Sequence, residues 1–109
     1  MPAPLKRFFT VISNPGSRTM RLPLGLVHEY MLLVPLQCTL TTREGRTYEV
    51  TIRGNGEWIA FDEGWADFVA AEDIKSEYYL WFDRNSLREF VVTVIEENAV
   101  ERKPSFLLP

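Results

Sequence analysis

A chain of 109 residues holds one domain, because dividing it would leave two halves too small to bury adequate apolar cores. Apolar residues make up 46% and charged residues 25%, too apolar for general disorder, and the longest apolar runs (31–36 is one) are too short to cross a bilayer. The net charge of −3 argues at first against a polyanionic partner; the single cysteine, Cys38, excludes an intrachain disulfide or a cysteine-based metal site, and the first seven residues lack the apolar stretch of a secretory signal, so an intracellular soluble protein is expected.

Phe8, Phe9, Val11 and Ile12 open the chain with a strand over 8–12, closed by the turn residues Ser13-Asn14-Pro15-Gly16-Ser17. A short strand over 19–22 follows. Pro23 then suits a first helical position, where its missing N–H would be unpaired anyway, and Leu26, Val27, Tyr30 and Met31 fall on one helical face. Leu36, Cys38 and Leu40 alternate with polar residues, as do Tyr48, Val50 and Ile52 over 47–53, and Arg43-Glu44-Gly45-Arg46 between them predicts a hairpin. Gly54-Asn55-Gly56 is a second turn signal before a strand over 57–61. Asp62 reads as the N-cap of a second helix carrying Trp65, Phe68 and Val69 at i, i+3, i+4. Strands over 78–82 and 90–95, joined by the polar stretch 83–88, close the chain. About seven short strands with two short helices predict an all-β fold, a barrel or a sandwich. Its core is expected to hold Phe9, Val11, Leu40, Val50, Ile52, Trp65, Phe68, Leu80, Phe82 and Val92.

The charge is unevenly placed. Residues 1–56 carry seven basic residues (Lys6, Arg7, Arg18, Arg21, Arg43, Arg46, Arg53) against three acidic ones (Glu29, Glu44, Glu49), whereas residues 57–109 carry five against twelve. Such asymmetry points to a polyanion-binding face. Other chemistry is poorly supplied. Cys38 alternates with Leu36 and Leu40 and reads as a small core residue, and His28 has no second histidine or cysteine to make a dyad or a metal site. Asp62, Glu63 and Asp67 read as a helix start and a solvated face, and Glu57 as a solvated residue. Trp58, Trp65 and Trp81 read as core rather than as stacking platforms for single-stranded bases. No catalysis, metal or cofactor is expected.

Four groups of residues, in this order and spacing, resemble the plant B3 DNA-binding domain family, especially its reproductive-meristem branch. They are Phe8-Phe9 in the first strand, Met20-Arg21-Leu22-Pro23 before the first helix, Gly45-Arg46-Thr47-Tyr48-Glu49-Val50, and Gly64-Trp65-Ala66-Asp67-Phe68-Val69. Ile74 and Leu80-x-Phe82 fall where that family keeps apolar strand residues. Two positions depart from its pattern: Glu72 stands where an asparagine is usual, and Glu77-Tyr78 where Gly-Asp is favoured. The resemblance implies a seven-stranded open β-barrel over 8–96, between an N-terminal tail (1–7) and a C-terminal tail or linker (97–109). It also implies two loops that enter the major groove of double-stranded DNA.

On that resemblance the expected DNA-binding residues are Ser13, Asn14, Ser17, Arg18 and Arg21 around the first loop, and Arg53 and Asn55 at the second. Arginine can bond guanine bidentately, asparagine can bond adenine, and serine hydroxyls can hold phosphate. Lys6, Arg7 and Arg46 are expected at phosphates, and Gly16, Gly54 and Gly56 are expected to allow close approach or a left-handed backbone. An exposed charge at Arg43 or Arg46 equally suits the protection of a hairpin from edge pairing. The expected role is transcription regulation in the nucleus, with DNA and other transcription regulators as partners, and neither a membrane nor a small-molecule substrate. A second reading stays open: a protein-interaction module on the same barrel with weak or no DNA affinity.

Overall fold

A computed structural model describes residues 6–96 and Glu101. Seven strands form one sheet: β1 (Arg7–Val11), β2 (Met20–Arg21), β3 (Leu36–Thr42), β4 (Thr47–Gly54), β5 (Ile59–Phe61), β6 (Tyr79–Ser86) and β7 (Glu89–Ile95). Their spatial order is β1-β6-β7-β3-β4-β5-β2, antiparallel at every junction except the parallel β3–β7 pair. The sheet curls into an open half-barrel whose free edges are β1 and β2. A 3-10 turn (Leu24–Leu26) runs into α1 (Val27–Tyr30), and α2 (Trp65–Ala71) follows β5. The tail expected over 97–109 lies outside the described residues apart from Glu101, which bridges Ile95.

Alternation decides the core. β3 buries Leu36, Cys38 and Leu40, β4 buries Val50 and Ile52, and β6 buries Leu80 and Phe82. Aromatic rings fill the centre: Phe8 stacks on Phe82 at 4.9 Å, and Phe61 packs against both Trp65 (5.7 Å) and Phe90 (5.3 Å). The 3-10 turn and α1 plug the barrel through Leu26, Val27 and Tyr30, as their periodicity predicts. The Tyr30 hydroxyl donates to the Leu87 carbonyl oxygen at 2.7 Å, so this buried ring keeps a polar partner.

Several expectations are corrected. Phe9 and Val11 are 54% and 40% exposed, while Phe8 and Ile12 are buried. β1 is apolar on both faces, so periodicity could not choose between them; pairing with β6 aligns Phe8 with Phe82 and turns Phe9 and Val11 outward beside Trp81 and Tyr79. Trp65 is core, but Trp58 and Trp81 are only half-buried. Most of the polar stretch 83–88 is strand, continuing β6 to Ser86. Glu57 and Trp58 belong to the β4–β5 loop. Pro23 precedes the 3-10 turn rather than opening an α-helix.

Asp62 is likewise not the cap of α2. That position is taken by Gly64 in a left-handed conformation (φ 91°), and the Asp62 carbonyl oxygen accepts from Trp65 N. A Cβ at Gly64 would lie 2.0 Å from the Glu49 carbonyl oxygen, so glycine is required there both by φ and by the closeness of β4.

Candidate nucleic-acid interface

The two expected loops bracket one short ladder. β2 pairs with β5 through Met20–Phe61 and Arg21–Ala60, and Leu22 N extends it by donating to the Ile59 carbonyl oxygen. The β1–β2 loop enters this ladder at Met20, and the β4–β5 loop enters it at Ile59 from the opposite end. β4 lies on the other side of β5 and sets Arg53 opposite Ala60. Arg53, Ala60 and Arg21 therefore form a single rung, with buried Ala60 between two exposed arginines. Strand parity puts Ile52, Phe61 and Met20 on the inner side of the next rung, so the arginines are held outward by core packing beneath them.

Each arginine has a partner that sequence reasoning missed. The Arg21 guanidinium lies 5.2 Å over the Trp58 ring, a cation–π contact with a neutral partner that takes up none of its charge. Arg53 forms a bidentate fork with Glu63, Nε donating to Oε1 at 2.7 Å and an Nη donating to Oε2 at 2.6 Å. Hydrogen bonding to Arg53 lowers the Glu63 carboxyl to about 2. Nothing local to positions 53 and 63 announces the pair; it follows only once the β4–β5 register is known. Arg18 is exposed and makes no ion pair among the described residues.

The polar residues of the loops shape them. Asn14 Oδ1 accepts from Gly16 N at 3.0 Å, and the Ser17 hydroxyl donates to the Thr19 carbonyl oxygen at 2.9 Å. Asn55 Oδ1 accepts from both Glu57 N (2.7 Å) and Trp58 N (3.1 Å). An amide oxygen has two lone pairs, so Asn55 keeps its NH2 as a donor but has no acceptor left for a bidentate adenine contact. Of Gly16, Gly54 and Gly56, only Gly54 is forced by a close approach: its Cβ would lie 2.2 Å from the Trp58 carbonyl oxygen. The first loop borders a shallow groove between the free edges, lined by Thr10, Ser13, Asn14, Ser17, Thr19 and Arg21.

Lys6, Arg7 and Arg46 are not gathered with these loops. Lys6 and Arg7 stand at the far end of β1, where Arg7 donates to Asp83 at 2.6 Å and lies over Trp81. Arg46 sits beside the β3–β4 turn and binds Glu44 and Glu72, and the Tyr48 hydroxyl also donates to Glu72. The two carboxylates raise the Arg46 pKa. Glu72 is 3% exposed at the end of α2, so Arg46 supplies the counter-charge that permits a buried carboxylate there. The departure at position 72 thus belongs to the fixing of α2 on β4.

A curled seven-stranded sheet with two loops flanking an outward arginine rung defines an open-barrel module with a cationic edge. The sequence profile of the B3 DNA binding domain matches residues 8–98, and the chain belongs to that family. REM21, a B3 domain-containing protein of Arabidopsis thaliana from the reproductive meristem group, is 29% identical over 91 residues, covering 83% of this chain and 28% of its own length. The solved structure of the Arabidopsis thaliana protein At1g16640 superposes with a TM-score of 0.71 at 27% identity, covering 90% of this chain and 98% of the other. The Arabidopsis FUS3-DNA complex shares the fold, with a TM-score of 0.55 at 17% identity over 90% of this chain and 97% of that one. The chain spans about half the length of two curated relatives that it matches and about a quarter of two others.

Proposed function

We propose that this B3 domain binds double-stranded DNA by seating its β1–β2 and β4–β5 loops in the major groove, as the DNA-binding part of a nuclear transcription regulator. The observation that carries this reading is the rung of Arg21 and Arg53 between the two loops. Family membership and the likeness to a fold caught on DNA support it. Arg18 and Arg21 would supply the first cationic contacts, the Asn14 and Asn55 amides and the Ser13 hydroxyl would bond phosphate or base edges, and the Ser17 hydroxyl, whose proton goes to Thr19, would accept from a base-edge donor. Lys6 would add a peripheral phosphate contact, and Arg46 would serve the scaffold.

The role is a binding one rather than an enzymatic one. Burial pushes the Cys38 thiol up to about 11, which leaves almost no thiolate at neutral pH. His28 is exposed on α1, where the neighbouring Glu29 is held by Arg84 at 2.7 Å. No helix among the described residues is long and apolar enough to cross a membrane.

A second reading, protein binding with little DNA affinity, is favoured by one observation. Phe9, Tyr79 and Trp81 form an outward aromatic strip on β1 and β6, with ring centroids 5.1 and 6.3 Å apart around Phe9. Titration with a mixed-sequence duplex, followed by backbone amide shifts, separates the two. The DNA reading expects shifts concentrated at residues 13–21 and 53–58. Shifts confined to the aromatic strip, or none at all, would contradict it.

A further inference from the structure

Resting on that DNA reading, we infer that Glu63 is a built-in competitor for the duplex: it withholds Arg53 from DNA and so limits the affinity of the β4–β5 arm. The geometry carries this. A carboxylate matches the planar guanidinium fork much as phosphate oxygens or the guanine edge do, and Glu63 occupies the Nε–Nη side of Arg53, the edge used for bidentate recognition, with contacts of 2.7, 3.0 and 2.6 Å. Arg53 cannot offer the same N–H donors to DNA until Glu63 leaves.

The pair is also placed to compete. Both side chains are about half exposed, at 47% and 55%, so an incoming duplex reaches the fork without unfolding anything. Arg53 shares a rung with Arg21, whose guanidinium is held by a neutral ring and stays available. One of the two rung arginines is thus open and the other masked. Glu63 is kept beside Arg53 at the backbone, because its carbonyl oxygen accepts from Thr51 N at 2.9 Å and ties its main chain to β4 two residues from Arg53. A duplex that displaced it would leave an unpaired carboxylate beside the phosphate backbone, an added repulsion that falls with salt.

The test is duplex affinity by fluorescence anisotropy at 50 and 200 mM salt for the wild type, Glu63→Gln, Asp67→Asn, Arg53→Ala and the Arg53→Ala/Glu63→Gln double variant. The Glu63→Gln change keeps the size of the side chain but removes its charge, and unmasking Arg53 adds about one phosphate contact. Glu63→Gln is then expected to tighten binding about tenfold at 50 mM and about threefold at 200 mM, with a salt slope steeper by about one unit. Asp67→Asn makes the same charge change on the exposed side of α2 and is expected to change affinity less than twofold. Arg53→Ala alone is expected to cost less than threefold and to cut the gain from Glu63→Gln to the less than threefold that loss of an unpaired carboxylate gives. Unchanged or weaker binding by Glu63→Gln overturns the inference while leaving the DNA reading intact. So does a gain that survives Arg53→Ala at its full size or is matched by Asp67→Asn. Failure of both wild type and Glu63→Gln to bind duplex at 50 mM overturns the DNA reading and this inference with it.

Discussion

Glu77 carries a full side chain at φ 73°, in the left-handed region, where the turn into β6 brings its N–H to the Ile12 carbonyl oxygen at 2.7 Å. The backbone there takes a shape that favours glycine, and at this place the family pattern favours Gly-Asp. Glu77→Gly is therefore expected to stabilise the domain by about 0.5–1 kcal/mol, or some 2–6 °C in Tm, after the greater freedom of glycine in the unfolded chain is subtracted. Thermal melts of the two proteins check this, and a lower Tm for Glu77→Gly would contradict it. Glu63 gives a second test at this scale. Its folded carboxyl titrates near 2, below the ordinary 4.5, so the ion pair contributes above pH 4.5 and its contribution is lost as pH falls from 4.5 toward 2. Side-chain carbon NMR should show a midpoint near 2 in the wild type and a clearly higher one, raised toward the ordinary 4.5, in Arg53→Ala. Sequence alone could place Arg53 and Asn55 at a turn, but not show that Asn55 spends its acceptor on Glu57 and Trp58. Hydrogen bonds across a turn depend on its exact closure, which residue types do not specify.

Among the elements, the β4–β5 arm hangs on a single glycine. Gly54 closes against Trp58 and Ile59, whereas a Cβ at Gly56 would meet nothing within 4 Å. Gly54→Ala should cost about 2–3 kcal/mol and disorder the arm, while Gly56→Ala should stay within about 0.5 kcal/mol of the wild type. Urea denaturation of both variants measures this, and equal midpoints would refute the close-packed arm. β3, β4 and α2 were legible because one face of each is apolar and the other polar, as with Val50 and Ile52 or Trp65 and Phe68. β1 was not, because Phe8 and Phe9 are adjacent and only the pairing with Phe82 selects the inner one. The start of α2 misled for another reason: Asp62 is a favoured capping residue, yet the crossing of β4 demands a glycine at position 64.

For the whole molecule, the net charge of −3 hides its distribution. Much of the acidity is spent inside ion pairs: Asp83 on Arg7, Glu29 on Arg84, Glu44 and Glu72 on Arg46, and Glu63 on Arg53. Of the cations assigned to DNA, Lys6, Arg18 and Arg21 stand outside any ion pair among the described residues. Barrel class and the two loops followed from the order of motifs along the chain; which arginines stay open did not, because their partners come from distant strands and loops. Three open cations imply about three phosphate contacts and a salt slope of about −2.7, so raising salt from 50 to 200 mM should weaken duplex binding about 40-fold. The most direct measurement is that slope, by fluorescence anisotropy, for the wild type and the Arg18→Ala/Arg21→Ala double variant. The expected result is duplex binding with a slope of about −2.7 that falls by about two units in the double variant. No binding by the wild type at 50 mM salt, or an unchanged slope in the double variant, would contradict DNA recognition through this edge of the barrel.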